Sequence, residues 1–111
     1  MFKHRGGRIG VTASFELFAG PVDQGPAAKP KLGLAFSRKS AKWAVARNVA
    51  RRLSRECARA QVDLPARAYV VRGRGALGKD WRVAKQAKAL TDLRRRWRAE
   101  LDGLFARVAR S

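Results

Sequence analysis

Four arginines recur every four residues near the middle of the chain: Arg47, Arg51, Arg55 and Arg59. At about 100° per residue, this spacing stacks their guanidinium groups along one side of a helix, with Asn48 and Arg52 in the same arc. Stacked guanidinium groups repel one another unless an anion lies across them, and arginine binds phosphate in a bidentate manner. A solvated surface helix would mix Glu with Lys instead, so the pattern favours a phosphate-bearing polyanion as the ligand.

Few side chains in the sequence are suited to acid–base, nucleophilic or metal chemistry. There is one histidine (His4), one cysteine (Cys57), and eight acids that form no evident acid–base pair. These are too few ligands for a zinc site, and Cys57 falls on the apolar side of its helix, which favours a core position. The glycines of 73–78 match the start of a phosphate-binding loop, but Asp80 stands where that loop needs Ser or Thr. The residue types therefore predict binding rather than catalysis by protein groups.

The charge balance indicates the same class of ligand. Against eight Asp and Glu, 26 Lys and Arg give these 111 residues a formal net charge of +18, while the hydrophobic fraction of 46% is typical of a folded protein. Self-repulsion of this size destabilises a compact state unless a polyanion neutralises it, so nucleic acid is the expected partner. No apolar run approaches the ~20 residues that cross a bilayer, and a lone cysteine forms no internal disulfide. A cytoplasmic protein without membrane association is expected.

Hydrophobic patterning predicts a single domain over residues 1–111, because a chain this short has room for one core. Alternating residues and short apolar runs predict strands over 12–18, 31–37 and 68–71. The third strand is apolar on both faces and is therefore expected at the centre of the sheet. Glycine and proline predict loops over 20–30 and 73–78.

Apolar spacing predicts two helices, one within 41–60 and one from Trp81 to Val108 with a bend near Gly103. The core side of the first helix is expected to hold Val45, Val49, Leu53 and Cys57. Trp97 keeps the apolar spacing of the second helix and is expected in the core. These elements predict an α+β fold in which a small mixed sheet packs with the Arg-rich helix and a C-terminal helix.

The run from Ser37 to Glu56, SRKSAKWAVARNVARRLSRE, resembles the signature of the bacterial ribonuclease P protein component. That family has a strand ending in two basic residues, followed by a helix with an Arg-Asn pair, a basic pair and a final Arg-Glu. The matching pairs here are Arg38-Lys39, Arg47-Asn48, Arg51-Arg52 and Arg55-Glu56. The strands KLGLAF and LPARAYVV on either side, together with the C-terminal helix, extend the resemblance over nearly the whole chain.

The resemblance implies a fold feature that periodicity does not predict. In the family, the helix between the second and third of these strands makes a left-handed βαβ crossover, against the right-handed default. Phe2–His4 looks like the end of the family's first helix, so that helix is expected to be shortened at the N-terminus. Three positions depart from the family's pattern: Trp43 replaces a basic or small residue, Val49 an arginine, and Ala68 an acid. The departure at Val49 implies one phosphate contact fewer.

The resemblance also implies a function, namely that of the protein subunit of ribonuclease P. This ribonucleoprotein is an endoribonuclease that removes the 5′ leader of precursor tRNA. By the resemblance, the RNA subunit holds the Mg²⁺ ions and performs the hydrolysis, while the protein alone binds no metal. The expected partners are the RNA subunit and precursor tRNA, with no obligate protein partner.

Two groups of contact residues follow. The RNA subunit is expected to bind the basic run, which comprises Arg38, Lys39, Lys42, Arg47, Asn48, Arg51, Arg52, Arg55 and Arg59. In the family, the sheet face and the first helix hold the single-stranded leader, and Phe2 and Phe18 are the matching aromatic candidates. Arg72 and Arg74 are the basic candidates for the same segment. Phe18 is expected on the strand face opposite Phe15, where an open ring can stack on an unpaired base.

Two other classes of nucleic-acid-binding protein share the size and charge. A small basic ribosomal protein would lack the Arg-Asn helix with its Arg-Glu ending. A helix-turn-helix DNA-binding protein would need a short second helix after a tight turn, whereas Leu64-Pro65 leads here into a predicted strand. Both alternatives fit the sequence less well than the ribonuclease P protein component does.

Overall fold

The computed structural model describes residues 7–22, 25–26, 28–37, 43–61 and 64–110. Along these residues lie four strands and three helices: β1 (Arg8–Val11), β2 (Phe15–Ala19), β3 (Lys31–Ala35), α1 (Ala44–Ala60), β4 (Ala68–Gly73), α2 (Ala76–Gln86) and α3 (Leu90–Arg110). The strands form one mixed sheet, and the buried apolar residues of sheet and helices form one cluster. The predicted α+β fold is confirmed.

Strand β4 lies inside the sheet, in the order β1-β2-β4-β3, as its apolar sequence predicts. It pairs antiparallel with β2, where Glu16 stands opposite Arg72, and parallel with β3, where Ala35 stands opposite the same arginine. Strands β3 and β4 are thus parallel neighbours joined through α1, the connection that a βαβ crossover requires. The left hand of that crossover stays a prediction. Because β4 rather than a second helix follows α1, the helix-turn-helix alternative is wrong.

The predicted strand over 12–18 is present as β2, shorter at its start, and it forms a hairpin with a further strand, β1. Strand β2 begins only at Phe15, because the N–H of Thr12 donates to the Phe15 carbonyl at 2.8 Å and closes a turn. The sequence pattern does not predict β1, which has four residues with a glycine among them. That glycine is required because α3 crosses close to the strand. A Cβ at Gly10 would lie 2.6 Å from Nη1 of Arg107 and 2.9 Å from Cδ2 of Leu104.

Helix α1 buries a different stripe from the predicted one. Its buried residues are Ala46, Ala50, Leu53, Ser54 and Cys57. Leu53 and Cys57 are therefore in the core as predicted and Val49 packs partly against it, but Val45 is 59% exposed. Two alanines, rather than the larger valine, face inward because small side chains let the helix backbone approach its neighbours closely.

The predicted helix over 81–108 is two helices, and the break lies at 87–89 rather than near Gly103. The chain turns at Lys88, whose φ of 58° is left-handed, and the N–H of Ala89 donates to the carbonyl of Ala84 at 2.8 Å. The predicted loop over 73–78 ends at Gly75, since α2 begins at the next residue. Val83, which fits the apolar spacing of a single long helix, is 65% exposed on α2.

Aromatic rings join the sheet to the helices in the core. Phe15 contacts the rings of Phe36 and Trp97 edge-on, with centroid distances of 6.2 and 5.9 Å. Trp81 of α2 stacks on Trp97 of α3 at 6.0 Å. Trp97 is fully buried, so its predicted core position is confirmed. Each such pair contributes about 0.5–1.5 kcal/mol beyond the burial of its apolar area, so this cluster fixes both C-terminal helices on the sheet.

Polar contacts complete the junction between α1 and α3. The fully buried thiol of Cys57 donates to the carbonyl of Arg98 over 3.8 Å. Burial, with a hydrogen bond to Asp102, raises the pKa of Cys57 to about 12, so the thiol is neutral at physiological pH and is no nucleophile. Asp102 thus faces α1, whereas Glu100 accepts a hydrogen bond from the N–H of Ser14 at 3.0 Å. The two acids point to different sides of α3, as their spacing predicts.

Two glycine substitutions test the close approach of β1 and α3. Gly10→Ala is expected to lower the free energy of unfolding by about 1–3 kcal/mol, because the new methyl group overlaps Leu104 and Arg107. Gly103→Ala is the control: its Cβ meets nothing within 4 Å beyond its own helix turn. It is expected to raise the free energy of unfolding by about 0.5–1 kcal/mol, since alanine loses less backbone entropy in a helix. Urea unfolding measures both, and a Gly10→Ala protein as stable as its parent would contradict the packing.

Candidate nucleic-acid interface

Helix α1 forms a cationic ridge on the outside of the molecule, opposite its buried stripe. Asn48, Arg52, Arg55 and Arg59 are exposed, while Arg47 and Arg51 are half-buried at the edge of the predicted arc. Successive side chains on a helix point about 100° apart, so neighbouring arginines reach opposite flanks of the ridge. The predicted arc forms one side of α1, but four of its five arginines are divided among three depressions: Arg51 lines the first, Arg55 and Arg59 the second, and Arg52 the third.

The first depression, which we call the α1–sheet cleft, lies where β3 and β4 end beside α1. It has a volume of about 640 Å³ and is lined by Glu16, Leu34, Ala35, Phe36, Ser37, Arg51, Arg72, Gly73, Arg74 and Gly75. Three sequence-predicted cations therefore meet here, although they come from two distant parts of the chain. The one acid, Glu16, is held at 3.2 Å by Arg8, so its charge is already neutralised.

Backbone pairing and a turn position the cleft arginines. Arg72 stands opposite Glu16 and Ala35 in the sheet ladder, which places it on the sheet face away from the core residue Val71. The N–H of Arg74 donates to the carbonyl of Ser14 at 2.8 Å. The Arg74 guanidinium donates to a second carbonyl of the same turn at 2.6 Å. Both side chains thus depend on the β1–β2 hairpin for their placement.

A buried polar network holds that hairpin in turn. Ser14 is fully buried, its N–H donates to Glu100, and its hydroxyl donates to Asp80 Oδ2 over 3.4 Å. Arg96 donates to the same oxygen of Asp80 at 2.6 Å. Asp80 is therefore a structural anchor between α2, α3 and the hairpin, and the glycines before it lead into a helix. The sequence match to a phosphate-binding loop has no counterpart in the fold.

A second depression, the β3–α1 pocket, lies on the same flank of α1 near its C-terminal end. Its volume is about 360 Å³, and its lining comprises Pro30, Lys31, Leu32, Arg55, Ala58, Arg59, Leu64 and Tyr69. Cations surround an apolar floor. The hydroxyl of Tyr69 donates to the carbonyl of Pro65 at 2.7 Å, and burial raises the pKa of this tyrosine, so the floor is uncharged.

The third depression, which we call the α1–α3 groove, lies on the opposite flank. It has a volume of about 400 Å³ and is lined by Val49, Arg52, Leu53, Glu56, Thr91, Arg94, Arg95 and Arg98. The sequence pattern did not single out the α3 arginines, because a charged outer face is ordinary for an amphipathic helix. The signal that identifies them is the run RRRWR at 94–98, which carries no acid.

One predicted contact residue is less exposed than expected, and four others lie outside the residues that the structure describes. Arg38, Lys39, Lys42 and Phe2 lie outside the described residues. Phe18 does occupy the sheet face opposite Phe15 and stands outside the core cluster, but its side chain is only 8% exposed. An open ring at Phe18 is therefore not what the structure presents, and stacking on a base stays a prediction from the resemblance.

The described part of the chain holds no cluster of three His, Cys, Asp or Glu side chains with the geometry to bind a metal ion. None of the helices described is long and apolar enough to cross a membrane. What the described surface offers is guanidinium groups, arranged in depressions on both sides of one helix.

Comparison of the sequence with known proteins identifies the family to which this chain belongs. The model of the ribonuclease P protein family matches residues 4–99. The ribonuclease P protein component of Bordetella parapertussis is 38% identical over 110 residues, which cover 96% of this chain and 82% of the relative. That of Bordetella avium is 35% identical over 107 residues, with the same coverage.

A solved structure agrees at the level of the fold. The ribonuclease P protein of Staphylococcus aureus superimposes with a TM-score of 0.55 and 21% sequence identity, over 67% of this chain and 65% of that one. The matched region of the family includes α1 and the strands and helices that flank it. The resemblance seen in the Arg-rich helix is thereby confirmed, and the chain belongs to the ribonuclease P protein family.

Proposed function

We propose that this chain, as the protein subunit of ribonuclease P, binds the catalytic RNA through α1 and the 5′ leader of precursor tRNA through the α1–sheet cleft. The observation that carries the proposal is the convergence of Arg51, Arg72 and Arg74 in one cleft. They belong to a helix, a strand and the loop after it, so the fold assembles cations that the sequence keeps apart. Phosphate groups match such a site in charge and in hydrogen-bond geometry.

The state of the acids supports a division of labour in which the RNA subunit, and not the protein, performs the hydrolysis. Of the six acids that the structure describes, five lie within 4.0 Å of an arginine nitrogen: Glu16, Glu56, Asp80, Asp92 and Glu100. The sixth, Asp102, lies beside Cys57 and helps to raise the pKa of that thiol. A carboxylate held by arginine is a poor ligand for Mg²⁺, because the cation beside it opposes a second one. We therefore assign the Mg²⁺ ions and the hydrolysis of the phosphodiester to the RNA subunit.

The protein's contribution in this proposal is electrostatic and positional. Its cationic side chains screen the repulsion between the phosphates of the RNA subunit and those of precursor tRNA. No observation favours the ribosomal alternative over this one.

The salt dependence of binding tests the phosphate contacts of α1. The logarithm of the affinity for the RNA subunit is expected to fall linearly with the logarithm of salt concentration, because binding releases counterions. Arg51→Ala is expected to flatten the slope by about one. The matched control is Arg82→Ala, which removes the same charge from an exposed position on α2 outside all three depressions. Equal slopes for Arg51→Ala and the parent would contradict the assignment.

The leader contact predicts a preference between substrates. Arg72→Ala in the holoenzyme is expected to weaken binding of leader-bearing precursor tRNA about tenfold, or ~1.4 kcal/mol for one charge-assisted contact. Binding of mature tRNA, which has no leader, is expected to change much less. Phe18→Ala probes the aromatic candidate in the same assay. If Phe18→Ala lowers the melting temperature and leaves the ratio of the two affinities unchanged, Phe18 has a core role and the leader does not stack on it.

A magnesium titration tests where the chemistry lies. Cleavage of precursor tRNA is measured with the protein, with the RNA subunit, and with both. The protein alone is expected to give no site-specific cleavage, and adding it to the RNA subunit is expected to lower the Mg²⁺ concentration required, because arginine side chains replace part of the ionic screening. Site-specific 5′ cleavage by RNA-free protein would overturn the proposal, as would an unchanged magnesium requirement.

A further inference from the structure

We propose that the α1–α3 groove is a second binding site for the RNA backbone, so that the catalytic RNA contacts α1 on both flanks. This inference rests on the proposed function, which makes the RNA subunit the partner. It adds a surface and a set of α3 residues that neither the Arg-rich motif nor the α1–sheet cleft includes. The ligand chemistry is the phosphodiester of an RNA strand.

Two helices present guanidinium groups to a single acceptor in this groove. Nε of Arg52 lies 3.2 Å from Oε2 of Glu56, and Nη1 of Arg98 lies 3.6 Å from Oε1 of the same carboxylate. A carboxylate with one arginine on each oxygen occupies the position that two phosphate oxygens would take in a bidentate arrangement. Both arginine side chains are more than half exposed, at 81% and 51%, so a strand can approach them from solvent.

The charge of the groove exceeds what its acid can neutralise. Its lining has four arginines and one glutamate, a net charge of +3. Arg95 also lies 3.6 Å from Asp92, but both side chains are about four-fifths exposed. A salt bridge this accessible to water contributes little to stability. Arg94 and Arg98 stand four residues apart on α3 and repel each other as the arginines of α1 do. The reasoning that favours a polyanion on α1 therefore applies to α3 independently.

The groove and the α1–sheet cleft are separated by the width of α1. Arg51 lines the cleft and Arg52 lines the groove, as expected of consecutive residues on a helix. A helix with its side chains is about 10–12 Å across, so the two sites hold two RNA backbone segments about that far apart. This spacing constrains the shape of the bound RNA, which a row of arginines on one face would not do.

Salt dependence separates the two sites energetically. The double variant Arg94→Ala/Arg95→Ala is expected to flatten the salt slope for the RNA subunit by about one to two and to combine additively with Arg51→Ala. Arg82→Ala is again the control for lost charge, and thermal melting checks the fold of each variant. If Arg51→Ala flattens the slope while Arg94→Ala/Arg95→Ala does not, the groove proposal is overturned and the proposed function stands. If neither variant flattens it, the proposed function itself fails.

A tethered cleavage reagent locates each site on the RNA. The native thiol of Cys57 is fully buried, so a cysteine introduced at the surface is the reactive one for an iron–EDTA label. Thr91→Cys places the label in the groove, and Gly75→Cys places it at the α1–sheet cleft, where a Cβ meets nothing within 4 Å. Gln86→Cys on the exposed side of α2 is the control.

In the holoenzyme with precursor tRNA bound, the label at position 91 is expected to cut the RNA subunit and the label at position 75 to cut the 5′ leader. The label at position 86 is expected to cut neither. If the labels at positions 91 and 75 cut the same segment, a single RNA strand contacts both the groove and the cleft. That result would overturn the proposal of a second site. Cuts from position 91 that appear only in precursor tRNA would overturn the choice of the RNA subunit as the groove's partner.

Discussion

The 26 cationic side chains in this chain of 111 residues repel one another, and the fold has to remain stable against that repulsion. A small core must hold these charges at fixed positions when no RNA is present. The fold meets this demand with a continuous aromatic contact, from Phe36 through Phe15 and Trp97 to Trp81, that joins the sheet to both C-terminal helices. Three acids also bridge elements: Asp80 of α2 binds Arg96 of α3, Glu100 accepts a hydrogen bond from the N–H of Ser14, and Glu56 engages arginines of α1 and α3. These three acids are engaged at junctions between elements, and the exposed faces of α1 and α3 stay rich in arginine.

The placement of α1 converts that excess charge into a shaped surface. Ala46 and Ala50 bring one side of the helix close to the core, while Arg52, Arg55 and Arg59 on the other side are exposed. Depressions on both flanks then combine α1 with other elements, with Arg72 and Arg74 on one side and the α3 arginines on the other. In the proposed function, these surfaces recognise the form of an RNA as well as its charge.

The sequence predicts those parts of the structure that depend on local pattern. The α+β class, the central strand β4, the core position of Trp97 and the outward face of the arginines follow from periodicity and charge. The break at Lys88 does not, because a lysine with a left-handed φ is chosen by tertiary packing and carries no sequence signal. The sequence also does not predict that Ala46 rather than Val45 faces the core, because that choice depends on the distance between the helix and the sheet. The groove on α3 needs the contact between two helices, which no linear pattern contains. The family resemblance identifies the function, and the structure identifies the surfaces that we assign to it.

The dependence of the hairpin on Glu100 gives the interface an order of assembly during synthesis. Ser14 is held by a side chain 86 positions later in the chain, and the carbonyl of Ser14 holds Arg74. Forty-one residues separate Arg59 from Glu100, which takes a ribosome roughly 2–8 s at about 5–20 residues per second. During that interval the arginines of α1 already exist while the cleft beside them lacks its final support. The nascent chain is therefore strongly cationic before its cleft is fully supported, and that support comes only when α3 closes onto the hairpin.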